Sequence, residues 1–314
     1  MNKQDKNNQI IIYKHHTKSF SIIVCTYNRQ DYLKKCIASL LKIDYPIFEI
    51  VVVNDGSTDG TKEFLDAINN NKIKAIHHKY NQGLSSARNN GIKLAAHDFI
   101  AFTDDDCVVD KNWLNELSKG FDNDKVGLVI GQTFYIHKNY QGYFPERLVS
   151  NVNAKWPMGA NVAYRKNVFA TCGDFNSFFF KYNNEDSEMA IRVIDKGFSF
   201  NRSINAVVCH QAMDWSVKSL LKSAKNASVW PILKKKYPRS YLIFGPPVKF
   251  GLIVNQRDYV YLLVAPIFIP LLFIRYILHG KRDFKIFFTK WPVCLILRRY
   301  YLYQEAIKNK VLMF

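Results

Sequence analysis

Apolar positions in the first hundred residues follow two alternating patterns. "FSIIVCT" (Phe20–Thr26) and "EIVVVND" (Glu49–Asp55) are apolar runs rich in β-branched residues, the pattern of strands buried on both faces. Between them, Leu33, Cys36, Ile37, Leu40 and Leu41 recur on one helical face. "GSTDGTKEFLDAI" supplies turn residues and a second helix, "ARNNGIKLAAH" a third, and "FIAFT" another strand. Strand and helix in alternation predict an α/β domain, a parallel sheet flanked by helices. Ligands of such sheets bind beyond the carboxyl ends of the strands. Thr26, Asp55 and Asp104 each close a strand, so all three should meet at one cleft.

The stretch "DFIAFTDDDCVVD" sets Asp104, Asp105 and Asp106 side by side directly after a buried run. Adjacent carboxylates repel, so the arrangement calls either for a bound cation or for a solvated turn. Nothing within the stretch chooses between them. Asp59 reads as the N-cap of the second helix. Glu188 reads as a solvent-facing residue.

Charge separates the chain into two parts. The 314 residues carry a net +18; Trp215–Phe314 holds 18 Lys+Arg against 3 Asp+Glu, or +15, leaving +3 for residues 1–214. In the basic part, "WSVKSLLKSAKNASVWPILKKKYP" combines apolar spacing with a lysine-rich face, which predicts a helix lying on an anionic membrane surface. Tyr259–Ile274 is uncharged for sixteen residues, short of the usual ~20 for a span, and contains Pro266 and Pro270. "IFFTKWPVCLIL", interrupted by Lys290 and Pro292, reads as interfacial, and "LRRYYLY" has the basic and aromatic character of a membrane boundary. A basic, helical dimerisation tail is the alternative. Positive charge interleaved with apolar runs, with no nucleic-acid motif, argues against a nucleic-acid partner.

The six cysteines are scattered, without metal-binding spacing, which predicts reduced thiols in a cytosolic setting. The N-terminus offers only a three-isoleucine run, too short for a signal-peptide core. The expected location is the cytoplasmic face of the cell membrane, with attachment through residues 215–314.

"IIVCTYNR", "VVVNDGSTDGT", "NQGLSSARNNGI" and "FIAFTDDD", followed by "GANVAYRKNVFATCGDF" and "NNEDSEMAIRVIDKGFSF", resemble in order and spacing an inverting family 2 glycosyltransferase of the GT-A fold. The resemblance covers about Ser19–Met213. It implies a Rossmann-like, mostly parallel sheet in a catalytic domain over 1–214, with a nucleotide-sugar half (about 19–110) and an acceptor half (about 111–214). A helical, membrane-associated region over 215–314 would follow.

The resemblance also implies roles. Asp106 would bind Mn²⁺ or Mg²⁺ directly, while Asp104 is a second ligand or holds the donor's ribose or a metal-bound water. Asp105 would support the pair. His210 either completes the metal shell, approaches the diphosphate, or is a buried structural histidine. Thr26, Tyr27, Asn28, Arg29, Asp55 and Arg88 fall on the donor side. Asp55 would accept from a uracil ring N–H, pointing to a UDP-sugar, and Arg88 would meet a phosphate or the base. Asn54 stands where the family often has an acid, so Asp55 would read alone. Asp186 would be the catalytic base and Glu185 its neighbour binding or orienting the acceptor. Trp156, Gly159 and Asn161 would line the sugar pocket, with core packing the alternative for Trp156. The implied acceptor is a glycan or lipid-linked saccharide in cell-surface polysaccharide or glycoconjugate synthesis.

Two other function classes make different demands on the sequence. A sugar-phosphate nucleotidyltransferase would want a glycine-rich loop after the first strand, where this chain has "CTYNRQDYL". A non-catalytic membrane scaffold that kept the fold would have no use for the acidic motifs.

Overall fold

The computed structural model describes residues 17–136, 150–211, 217–253, 270–271, 273–274, 277–278 and 286–313. The first half contains β1 (Phe20–Thr26), α1 (Gln30–Leu40), β2 (Phe48–Asn54), α2 (Thr61–Asp66), β3 (Ile73–His77), α3 (Leu84–Leu94), β4 (Phe99–Asp104), β5 (Cys107–Val109), α4 (Trp113–Gly120) and β6 (Val126–Ile136). After it come β7 (Val162–Arg165), α5 (Asn167–Cys172), α6 (Ser177–Phe180), α7 (Glu185–Asp195), β8 (Ser199–Gln211), α8 (Val217–Ser223), α9 (Val229–Lys236) and α10 (Tyr241–Phe244). A C-terminal helix occupies Trp291–Asn309.

Eight strands form one sheet in the order β3-β2-β1-β4-β7-β6-β8-β5. The pairs β1/β2, β1/β4, β2/β3 and β6/β8 are parallel, while β4/β7, β6/β7 and β5/β8 are antiparallel. Successive strand residues point to opposite faces, and β1 is apolar on both. Phe20, Ile22 and Val24 pack with Leu33, Cys36, Ile37 and Leu40 of α1 and with Trp113, Leu114 and Leu117 of α4. Ile23, on the other face, packs with Ala87 and Ile92 of α3 and with Met189, Ile191 and Val193 of α7. Burial on both faces is what made these strands legible as unbroken apolar runs. Leu41, expected on the buried face of α1, is instead the exposed residue that ends it.

The second core continues past residue 214. Val229 and Leu233 of α9, then Tyr237, Tyr241, Phe244 and Ile253, belong to the same apolar cluster as Ile23 and Met189. Apolar packing thus joins residues on either side of the boundary drawn near residue 214. "WSVKSLLKSAKNASVWPILKKKYP" is not one helix laid on a lipid surface, because α8 and α9 are separate and their apolar sides are turned into the protein. Pro292 does not interrupt the C-terminal helix but sits in its first turn, where its missing N–H costs nothing. That helix packs Cys294 against Leu220 of α8 and Ala224 directly after it. Of the uncharged run Tyr259–Ile274, all but residues 270, 271, 273 and 274 lie outside the described residues. Among the described residues, no helix is long and apolar enough to cross a membrane.

Candidate active site

Parallel pairing puts the ends of β1, β2 and β4 side by side: Thr26 faces Asn54 across one ladder and Cys25 faces Asp104 across the other. Beyond β4, Asp105 and Asp106 make a two-residue turn into β5. The solvated-turn expectation for the triple aspartate is therefore met only in part. The stretch is a turn, but Asp105 and Asp106 are buried rather than solvated. Their repulsion is offset by Arg29, whose guanidinium donates to Asp105 Oδ1 and to Asp106 Oδ2, each at 3.1 Å. Thr26 Oγ1 donates to Asp105 Oδ2 at 2.7 Å. Burial pushes the Asp105 carboxyl up to about 7, against the pull of Arg29. Asp105 thus turns inward and braces the turn.

Strand β8 pairs antiparallel with β5, which places His210 opposite Cys107. Ligand atoms of Asp104, Asp106, Cys107 and His210 all lie within 4.8 Å of one another. His210 Nδ1 lies 2.9 Å from the Gln211 carbonyl, an acceptor that cannot itself donate. Nε2 lies 3.2 Å from Asp106 Oδ1. Burial pushes the Cys107 thiol well above its ordinary value, so this sulfur is a neutral, poor ligand. Two carboxylates and an imidazole remain. That donor set fits Mn²⁺, and Mg²⁺ through its oxygens.

These groups open into a cleft of 310 Å³, whose walls include Thr26, Tyr27, Arg29, Asp55, Asp104 and Phe180. Tyr27 is 46% exposed and offers its ring to the cleft. Asp55 is buried. Its Oδ1 accepts from His78 Nδ1 at 2.7 Å and from the Gln82 N–H at 2.9 Å, and its Oδ2 accepts from the Gly83 N–H at 2.9 Å. Asn28, with φ 53°, occupies the left-handed region that asparagine tolerates; its Oδ1 accepts the Thr58 N–H at 2.7 Å. This bond pins the loop after β1 to the loop after β2. Asp59 is not the N-cap of α2, which is Gly60; it stands one residue earlier and accepts the first N–H of α2 from Thr61 at 3.2 Å and that of α1 from Gln30 at 3.1 Å.

Glu185 and Asp186 open α7. Glu185 Oε1 accepts from Arg88 at 2.7 Å, while Oε2 is buried with no hydrogen-bond partner. The same guanidinium reaches Asp104 at 3.6 Å and lies 5.4 Å from the Phe175 ring centre. Arg88 is therefore a buried strut joining the α7 acids to the triple-aspartate turn, and it does not line the cleft. The half-buried Asp186 accepts the Gly159 N–H at 2.9 Å and the Ser187 N–H at 2.7 Å. Burial raises both carboxyls above the ordinary range, with Arg88 opposing it in each case.

Three residues differ from their expected settings. Asn161 is fully buried; its Oδ1 accepts from Trp113 Nε1 at 2.8 Å and its amide donates to the Gln132 and Ala206 carbonyls, so it ties the sheet together and does not line the cleft. Trp156 is 48% exposed and lies outside the cleft walls. Glu188 does not face solvent. It is fully buried because α9 packs over it, and it accepts from Tyr237 Oη at 2.6 Å, Arg192 at 3.1 Å and Lys236 at 3.2 Å. Sequence reasoning missed His78, which orients Asp55, because it follows a strand that was not recognised. It also missed Phe180 and Asn183 on the cleft wall, although the aromatic run "FFFKYNN" directly precedes the two acids.

The model of the family described as Glycosyl transferase family 2 matches residues 21–187, just over half of the chain. The chain is similar to the glycosyltransferase GlyG of Streptococcus pneumoniae, at 32% identity over 126 residues, which are 40% of this chain and 42% of that protein. It thus spans less than half the length of that relative. Among solved structures, the mannosyltransferase PcManGT from Pyrobaculum calidifontis, in complex with GDP-Man and Mn²⁺, aligns with a TM-score of 0.60 at 17% identity, over 94% of this chain and 88% of that one. TarS 1–349 of S. aureus, in complex with UDP-GlcNAc, aligns with a TM-score of 0.53 at 21% identity, over 72% and 73%. These likenesses establish a GT-A-like α/β fold.

Proposed function

The chain belongs to glycosyl transferase family 2, and on that premise we propose that it moves a sugar from a nucleoside diphosphate, a UDP-sugar, to a glycan or lipid-linked saccharide with inversion at the anomeric carbon. One observation carries the reading. The acids at the β4–β5 turn and the acids at the start of α7 are joined through a single buried guanidinium, Arg88. Leaving-group chemistry and acceptor activation are thereby coupled in one rigid unit. Similar folds bind UDP-GlcNAc in TarS and GDP-Man with Mn²⁺ in PcManGT, which supports a nucleotide-sugar donor.

The residues divide the work. Tyr27 offers a ring face to the nucleobase, and Asp55, held by three donors, presents its remaining acceptor capacity to a base N–H. Asp104, Asp106 and His210 would hold a divalent cation, which when bound supplies positive charge against the departing diphosphate. Asp186 takes the acceptor hydroxyl's proton as that oxygen attacks. A carboxyl raised by burial is a stronger base than a solvated one. The two N–H groups on Asp186 fix its direction. Glu185, tied to Arg88, keeps the start of α7 in register with the turn.

We place the enzyme at the cytoplasmic face of the membrane. The +15 carried by residues 215–314 supports this, as does an outward stripe of Val293, Ile296, Tyr300 and Ile307 on the C-terminal helix, all exposed at helical spacing.

Calorimetry with UDP, with and without Mn²⁺, tests donor binding; a scaffold would show no metal-dependent heat. Asp186→Asn should lower transfer by about 10²- to 10⁴-fold, the usual contribution of a positioned base, and leave UDP binding intact. Turnover at the parental rate would place the base elsewhere.

A further inference from the structure

The donor cleft is the first of three adjoining cavities. Phe180 and Asn183 on its wall also line a second cavity of 230 Å³. Phe180, Lys181 and Lys222 of that second cavity in turn line a third, of 680 Å³, enclosed between the α6–α7 connection, α8 and the C-terminal helix. Phe180 borders all three. The groove is stapled to the catalytic helix, because Asn184, immediately before Glu185, donates to the Asn226 carbonyl at 3.0 Å.

The third cavity is lined by both cationic and apolar side chains. Lys181, Lys222 and Lys225 line it, and among the described residues none of them pairs with a carboxylate. Two are steadied by ring faces, which orient an ammonium without neutralising it. Lys181 Nζ lies 3.9 Å from the Phe178 ring centre, and Lys225 Nζ lies 5.0 Å from that of Tyr301. The one acid on the wall, Glu305, is held away from the lysines: Oε1 accepts from Tyr182 Oη on the same wall and Oε2 from Asn309 Nδ2, each at 3.3 Å. Leu221, Leu297 and Tyr301 supply apolar surface. Unneutralised ammoniums beside aliphatic and aromatic walls suit a phosphate that carries a hydrocarbon chain.

We propose that this groove is the acceptor subsite for a phosphate ester with an apolar tail, the lysines holding the phosphate while the saccharide end runs past Phe180 toward Asp186. The proposal rests on the transferase reading and deepens it, because it makes the acceptor a lipid-linked saccharide. The phosphate could come instead from a bilayer headgroup, and the test separates the two sources.

The full chain is titrated with decyl phosphate in EDTA, and separately with UDP plus Mn²⁺. Lys222→Glu/Lys225→Glu should weaken decyl phosphate binding at least tenfold and leave UDP binding with Mn²⁺ unchanged. Asp106→Asn should do the reverse. Sedimentation with phosphatidylglycerol vesicles should be the same for the lysine double variant and the parent. Equal decyl phosphate affinity in parent and lysine variant overturns the proposal. So does loss of decyl phosphate binding in Asp106→Asn, which would place the ligand in the donor cleft. Loss of vesicle binding with decyl phosphate binding kept would assign the lysines to the bilayer. Failure of UDP with Mn²⁺ to bind would count against the transferase reading alone, since the decyl phosphate titration reads the groove directly.

Discussion

Arg88 has room for its guanidinium because residue 159 has no side chain. A Cβ built on Gly159 would lie 1.9 Å from Arg88 Nη2 and 2.6 Å from Cζ, so Gly159→Ala must push the guanidinium away from Glu185 or from Asp104. Displacing a positioning group by about 1 Å costs on the order of 10²-fold in rate, and overpacking costs roughly 1–3 kcal/mol. Gly159→Ala should therefore lower kcat by about 100-fold while the protein stays folded, as steady-state kinetics beside a thermal melt would show. A fall in melting temperature with unchanged kcat would refute the strut. At this scale the chain was legible where a residue's meaning is local. Thr26, Asp55 and Asp104 each close an apolar run, and their convergence follows from that, whereas Asp106 and His210 were assigned to the cation only through the resemblance. Arg88 was not legible as a strut, because its partner Glu185 is 97 residues away and nothing near "SSARNNG" points to it. Asn161 sits in a recognisable motif, but its direction is set by Trp113, which the motif does not contain.

Among the elements, α7 and α9 are joined by a polar cluster inside an otherwise apolar contact. Glu188 accepts from Tyr237, Arg192 and Lys236, and removing it leaves Arg192, mostly buried, without its carboxylate. Breaking a buried pair from one side typically costs about 3–5 kcal/mol; the exposed Lys236 adds little to that. Glu188→Ala should lower the urea midpoint by a corresponding amount, while Glu188→Gln, which still accepts from Tyr237, should lose less. Equal midpoints for Glu188→Ala and the parent would show that the cluster contributes nothing. The sequence pattern assigned Glu188 to solvent because an acid in the first turn of a helix is ordinarily explained by the helix dipole. Only the packing of α9 reverses that. Strands followed the opposite course: β1, β2 and β4 are buried on both faces and show as continuous apolar runs. β3, "IKAIH", lies at the sheet edge with Lys74 and Ala75 exposed, and its weak pattern hid it. His78 was missed with it.

The whole molecule does not divide where its charge does. The change from +3 to +15 near residue 214 marks a different surface, yet one apolar cluster contains residues from both sides of it. Val229, Leu233, Tyr241 and Phe244 are buried against the same cluster as Ala190 and Val193 of α7, the helix that carries Glu185 and Asp186. Charge is read from the surface, and apolar contacts between distant segments leave no compositional mark, so the packing could not be inferred from the change in character. A chain cut after residue 214 would uncover the far side of α7. Each large apolar side chain left in water forgoes about 1.5–3 kcal/mol, and a typical domain has only about 5–15 kcal/mol of net stability. Loss of these four side chains, together with the Tyr237–Glu188 bond, consumes most of that margin. Residues 1–214 expressed alone should therefore be aggregated or protease-sensitive throughout, and should lose the UDP heat seen with the intact chain. A second chain ending after residue 253, which restores α9 and α10, should recover much of the protease resistance although it lacks the C-terminal helix. If residues 1–214 alone melted cooperatively at the parental temperature, the segment after 214 would be an appendage, and the catalytic helix would need no support from it.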